Sequence, residues 1–304
     1  MSTLSELRCS YLAGVLLICG AGCGVAGDDD DSAATTSYNA NPNFEHPATW
    51  LYSHFETAEE AELAFVLRAL EEDLLSSVNF DSDELIERSP SLAPLTETEL
   101  AELKRPAADP TACQAVSLAS HSVHPVSRHA LAALQSDQTG GDPSTPERHQ
   151  RSFDDNSEQC WGSQDCQNLI ASDEMTRVNP LFTIELTEEL RYRWVELSLP
   201  APSTTPLGQQ PQAKGEPRTA ILMRSWLPER AANTDNTAAF EQGYTLGAWF
   251  PGSNAEGHST LRYTASWTQT VLPVPLDDST IRQLTRGAIN DAYQAQEEWL
   301  NTMP

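Results

Sequence analysis

The sequence predicts an α+β fold: a curved antiparallel sheet packed on a long C-terminal helix, with a helical segment ahead of it. Three observations carry this expectation. Leucine and valine recur at helical spacing between residues 57 and 74, the stretch from 114 to 272 breaks into strand-like runs, and the residues after Pro275 return to one helical stripe. The 304 residues include 44 acidic and 18 basic side chains, a net charge of −26. That balance offers no footprint for a polyphosphate backbone, so nucleic-acid binding is excluded. A multi-pass membrane protein is excluded as well, because one short N-terminal segment alone is apolar enough to consider.

That segment opens the chain. A polar start with Arg8, the apolar run Tyr11–Cys19 and small residues through Gly27 predict a signal peptide over residues 1–22. Gly20-Ala21-Gly22-Cys23 is similar to a bacterial lipoprotein box, with Gly20 where leucine is usual, and makes Cys23 the expected lipidated residue. An ordinary signal-peptidase exit near Val25-Ala26-Gly27 is the competing reading. The first predicts a bacterial envelope lipoprotein held on the outer membrane by its N-terminal lipid; the second predicts a secreted or periplasmic protein. Residues 23–43, with Asp28–Asp31, then form an acidic and polar tether. Gly22-Cys23-Gly24-Val25-Ala26-Gly27 matches a dinucleotide fingerprint in letters only, since four aspartates follow where a phosphate-binding helix should begin.

Residues 44–110 form an acidic helical segment. Thr57-Ala58-Glu59-Glu60 is a capping box, and Leu63, Val66, Leu67, Leu70 and Leu74 make a buried stripe, with Glu59, Glu60, Glu62, Glu71, Glu72 and Asp73 left wet. A second box, Thr96-Glu97-Thr98-Glu99, opens a short helix that Pro106 ends. Between residues 23 and 110 the net charge is −16, so most of the acidity belongs to the tether and these helices. A solvated helix surface explains that acidity more simply than a cation site.

Residues 111–304 form the α+β domain. Gln114–Ser122 is a strand, Pro125 opens a helix through Leu134, and Gln135–Ser157 is polar and turn-rich. Strand-like runs follow at Leu181–Leu186, Leu190–Leu199, Arg218–Leu227, Phe240–Phe250 and Ser259–Leu272, with a loop over Ala201–Pro217 and a hairpin connection over Pro251–His258. Asp277 and Asp278 cap the last helix, whose stripe is Ile281, Leu284, Ala288, Ala292, Ala295 and Trp299.

Chemistry-bearing motifs are few. After cleavage before Cys23, the remaining cysteines are Cys113, Cys160 and Cys166, and the short Cys160–Cys166 loop favours a local disulfide; pairing of Cys113 with either stays open. No second close Cys/His pair completes a zinc set, and Asp81-Ser82-Asp83-Glu84 fails as a calcium loop because Ile86 occupies the glycine position. His121, His124 and His129 form the one histidine cluster, without a carboxylate at helical spacing. No hydrolase motif is present, so no catalytic residue, metal or cofactor is expected. The aromatic residues Tyr192, Trp194, Trp226, Trp249, Tyr263 and Trp267 all fall on strands and are the candidate lining of a ligand pocket, with ordinary core packing as the bland alternative. Arg191, Arg193, Arg224 and Arg262 are interleaved with them; any that points inward is a candidate anchor for an anionic head group.

The element order from Gln114–Ser122, through the helix at Pro125 and the successive strands, to the helix 277–300 resembles the START/Bet v 1-like helix-grip fold. Arg224-Ser225-Trp226-Leu227-Pro228 and the hairpin after it are similar to uncharacterised lipoproteins of myxobacterial-type deltaproteobacteria. The helix-grip resemblance implies non-enzymatic binding of a lipid or other hydrophobic or amphipathic small molecule between sheet and terminal helix. The alternative is a structural or interaction lipoprotein with a filled core.

Overall fold

The computed structural model describes residues 46–76, 86–87, 92–154, 156–179, 182–199, 218–252 and 259–303. The expected signal peptide, Cys23, the tether, the residue 81–84 motif and the 201–217 loop lie outside these residues. The elements are α1 (Pro47–Ser53), α2 (Glu60–Ser76), β1 (Ile86–Glu87), β2 (Gln114–Ser122), α3 (Val126–Ala133), β3 (His149–Phe153), α4 (Glu158–Trp161), β4 (Asn168–Asn179), β5 (Phe182–Glu196), β6 (Thr219–Trp226), β7 (Ala231–Ala232), β8 (Ala239–Pro251), β9 (Thr260–Val271) and α5 (Asp278–Thr302). Among them no helix is long and apolar enough to cross a membrane.

The strands form one antiparallel sheet in the order β1-β2-β9-β8-β6-β5-β4-β3, with β7 added on β8. β3 to β9 therefore run as a meander, and β2 returns beside the last strand. β2 and β3 lie far apart in the sheet, so the connection through α3 must cross one face of it, and α4, between β3 and β4, lies on that face too. With α5 on that same face, this is the helix-grip arrangement expected from the element order. We call the face bearing α3, α4 and α5 the inner face, and the one bearing α1 and α2 the outer face.

The outer face holds the largest core. Leu51, Tyr52, Leu63, Val66, Leu67, Leu70 and Leu74 of α1 and α2 pack on Leu222, Leu246, Phe250, Tyr263 and Trp267. Each such burial is worth about 1.5–3 kcal/mol. The expected α2 stripe is thus the packed face, but the helix starts later than its predicted box. Glu59 is the cap: its carbonyl accepts Leu63 N–H at 3.1 Å, and its N–H donates to Glu62 at 3.0 Å. The Thr96 box forms in full, with Thr96 N–H donating to Glu99 at 2.8 Å and Glu99 N–H donating to Thr96 Oγ1 at 3.4 Å. It closes a capped turn and no helix element, since a box seeds a helix only if further turns repay its nucleation.

Charge complementarity seals this face. Glu71, expected to be wet, is 7 % exposed because Arg218 at the start of β6 pairs with it. Arg224 is 1 % exposed, donates to Glu102 at 2.7 Å and Glu56 at 3.2 Å, and sits 5.2–5.7 Å from the rings of Phe55, Trp226 and Tyr52. Arg193 donates to the Phe55 carbonyl at 3.2 Å. Part of the acidity of the N-terminal segment is therefore structural, answering arginines on the sheet.

Three strands, β3, β4 and β5, differ from expectation. β3 falls inside the stretch expected to be irregular, since HQRSF carries a single large apolar residue. β4 and β5 make a long hairpin in which Thr187, Glu188 and Glu189 lie mid-strand, where a break was expected.

Candidate functional site

Side chains alternate along a strand, so register assigns each residue to a face. On the inner face two apolar patches flank a polar band. One patch joins Tyr192, Trp194, Ile221 and Leu169 to Val126 and Ala130 of α3 and Trp161 of α4. Here Trp161 stacks on Trp194 at 5.0 Å, and each indole N–H reaches a carbonyl at 3.2 Å. The disulfide Cys160–Cys166, with Cα atoms 5.3 Å apart, ties the α4 turn together, and Cys113 is free. Trp249 lies across Gly247, where a Cβ would stand 2.9 Å from its ring and 3.0 Å from Met223 Cε; only glycine permits this approach. The second patch holds Met175, Phe182, Ile184, Leu186 and Leu227, with Phe240 and Leu272 against it.

The band between the patches carries the charge. Asp173, 1 % exposed, accepts both Arg151 Nε and Nη2 at 2.7 Å and lies 2.8 Å from His149 Nε2; His149 Nδ1 is 3.1 Å from Thr145 Oγ1. Burial alone would raise the Asp173 pKa, but the Arg151 charge and hydrogen bonds, with the His149 bond, outweigh it and hold the carboxyl at about 2. Thr145 is fully buried, so this Thr–His–Asp chain has no accessible nucleophile. Outside the band, in the register row of Trp194, Ile221 and Trp249, Arg262 pairs with Glu297 at 2.9 Å and lies 4.4 Å from the Tyr293 ring centroid. Of the histidine cluster, His124 stands 3.8 Å from Glu297, and His129 Nε2 is 3.0 Å from Ser122 Oγ. Burial, then the nearby Arg262 and His124, push His129 down to about 3, so its ring is neutral at physiological pH. Among the described residues no group of three or more His, Cys, Asp or Glu is arranged to hold a metal ion.

α5 runs along β2 and docks through a row the sequence did not single out: Tyr293 and Ile289 on Val116 and Leu118, with Leu300 and Met303 on Ala132. The predicted stripe lies to one side. Its last member, Trp299, sits against Gly140 and Gly141, where Cβ atoms would come within 2.4 Å and 3.0 Å of the indole. Leu284, of the predicted stripe, points away from the docking row and is 54 % exposed. On this face a pocket of about 100 Å³ is lined by Arg177, Leu186, Glu188, Leu227, Phe240, Gly243, Tyr244, Thr245, Ser266 and Thr268.

No family model matches the chain, and no curated protein matches it. Among solved structures, Ara h 8.0201 is 11% identical over 63% of this chain and 99% of its own, with a TM-score of 0.30. TTHA0849 from Thermus thermophilus is 14% identical over 61% and 96%, with a TM-score of 0.31. The fold assignment rests on the strand order and helix placement themselves.

The six aromatic candidates divide between the faces. Tyr192, Trp194 and Trp249 lie on the inner face. Trp226, Tyr263 and Trp267 lie on the outer face in the core under α1 and α2, where Trp267 and Trp226 donate to the carbonyls of Ala93 at 2.9 Å and Lys104 at 3.1 Å. Of the interleaved arginines, only Arg262 faces inward, and Glu297 neutralises it. Sequence reasoning missed Arg151, Asp173, Arg177 and Glu188. The one available signal was charge at alternating positions of otherwise apolar strands.

Proposed function

We propose that this chain is an exported, lipid-anchored bacterial protein that binds an amphipathic small molecule, without chemistry, on the inner face of its sheet. One observation carries the binding part: the inner face holds a pocket lined by both apolar and polar side chains. The inner aromatics Tyr192, Trp194 and Trp249 form the deep end of that face. Trp249 supports a polar contact as well, because its indole N–H is buried with no hydrogen-bond partner among the described residues. Export and anchoring rest on the apolar N-terminal run and on Cys23.

Native mass spectrometry of the protein purified from its own membrane, followed by lipid extraction, tests the binding. A reproducible bound amphiphile is expected, and a chain that never carries one removes the reading. Mass analysis of the N-terminal peptide tests the anchor: a diacyl or triacyl Cys23 is expected, and an unmodified chain starting after residue 23 rejects it. A second reading, a structural lipoprotein with a filled core, is favoured by the Trp161–Trp194 stack that closes the deep end.

A further inference from the structure

The pocket at the boundary of the polar band contains one cation and one anion, and only the cation is compensated. Arg177 faces Asp142 at 3.8 Å. Burial would raise Asp142, yet Arg177 and the Ser144 hydrogen bonds outweigh it and keep the carboxyl ionised. Directly across the β4–β5 pair from Glu188, Asp173 is likewise satisfied by Arg151 and His149. Glu188 itself accepts a hydrogen bond from Ser225 Oγ at 2.5 Å, and no Arg, Lys or His lies within ion-pair distance of it among the described residues. Glu188 is half-buried and lines the pocket, so its carboxylate faces whatever ligand enters.

We propose that Glu188 anchors the ammonium group of an amphipathic amine, whose alkyl part lies on Leu186, Leu227 and Phe240. The inference rests on the reading of this face as a ligand groove and adds the head-group class. A primary ammonium has three donors to place; the Thr245 hydroxyl, two strands from Glu188, is a further acceptor lining the pocket, with Ser266 and Thr268 one strand beyond it. The volume of about 100 Å³ is roughly three times the ~30 Å³ share of one water molecule, enough for a head group and the first methylenes. A divalent metal fits this set poorly, because one carboxylate and neutral hydroxyls supply too little charge to replace its hydration shell. The overall charge of −26 draws organic cations toward the surface and repels anionic amphiphiles.

The test is calorimetric titration of the full chain at pH 7 with octylamine, octanol and octanoate. Octylamine is expected to bind at least tenfold more tightly than octanol, a difference of about 1.4 kcal/mol, with octanoate weakest. Glu188→Gln keeps an acceptor for Ser225 and is expected to abolish the amine preference while octanol affinity stays unchanged, which also shows that the pocket is intact. Glu185→Gln removes the same charge from an exposed position and is expected to keep the preference. Octanoate binding as tightly as octylamine, or a preference that survives Glu188→Gln, overturns the head-group inference alone. Failure of all three probes to bind overturns the groove reading with it.

Discussion

Asp173→Asn is the sharpest probe of the polar band, because the change is isosteric and its effect has a calculable pH profile. In the folded protein the carboxyl is held at about 2, against ~3.9 for an unperturbed aspartate, so the difference of roughly two units at ~1.36 kcal/mol each corresponds to about 2–3 kcal/mol of stability at neutral pH. A depressed acid contributes fully above its unfolded pKa and loses that contribution as pH falls through its folded pKa, so the window is about pH 4 down to pH 2. The substitution also strands Arg151, whose side chain is 5 % exposed, and uncompensated buried charges cost about 3–5 kcal/mol. Urea unfolding of wild type and variant between pH 7 and pH 2.5 measures both effects. The stability gap should be about 3 kcal/mol or more above pH 5 and should narrow steadily below pH 4, as the wild type loses what the variant never had. A gap under 1 kcal/mol at pH 7, or one that stays constant down to pH 2.5, refutes this account of the band.

Gly140→Ala should displace Trp299 and loosen the end of α5, costing about 1–3 kcal/mol; the melting temperature should fall by several degrees with a red shift in tryptophan emission, and unchanged melting contradicts the packing. On the outer face, the pair Glu56→Gln and Glu102→Gln should destabilise more than Arg224→Met. The first leaves a buried guanidinium unpaired, whereas the second frees two carboxylates whose side chains are 47 % and 38 % exposed; denaturant midpoints at pH 7 give the order. Burial, with Asp109 adding and Arg105 opposing, pushes the Cys113 thiol up to about 12, so its alkylation at pH 8 should be on the order of 10³-fold slower in the native than in the unfolded chain, as read by peptide mapping.

Much of the fold was legible from local pattern. β2 and β6, β8 and β9 stand where strand runs were expected, and α5 follows the Asp277 cap, whose side chain accepts Thr280 N–H at 2.9 Å. The failures share one cause. β4 was missed because Asp173 interrupts its inner row, and a buried aspartate is tolerable only with Arg151 across the sheet on a strand 22 residues earlier. β5 was divided in two because Glu188 sits mid-strand on the polar band. Glu71 was placed in water because its partner, Arg218, lies 147 residues away.

By itself the sequence placed β2, β6, β8, β9 and α5, favoured the local Cys160–Cys166 bridge, and told which aromatics share a face: Tyr192 with Trp194, and Tyr263 with Trp267. The tertiary structure alone decided which face each pair occupies. Both faces of this sheet are covered, one by α1 and α2 and the other by α3, α4 and α5. Alternation then separates two apolar rows but gives neither a direction, because burial drives both equally. The same limit applied to charge. A net of −26 counts residues, whereas pairing across strands left Glu188, among the groups lining the pocket, as the carboxylate without a counter-ion.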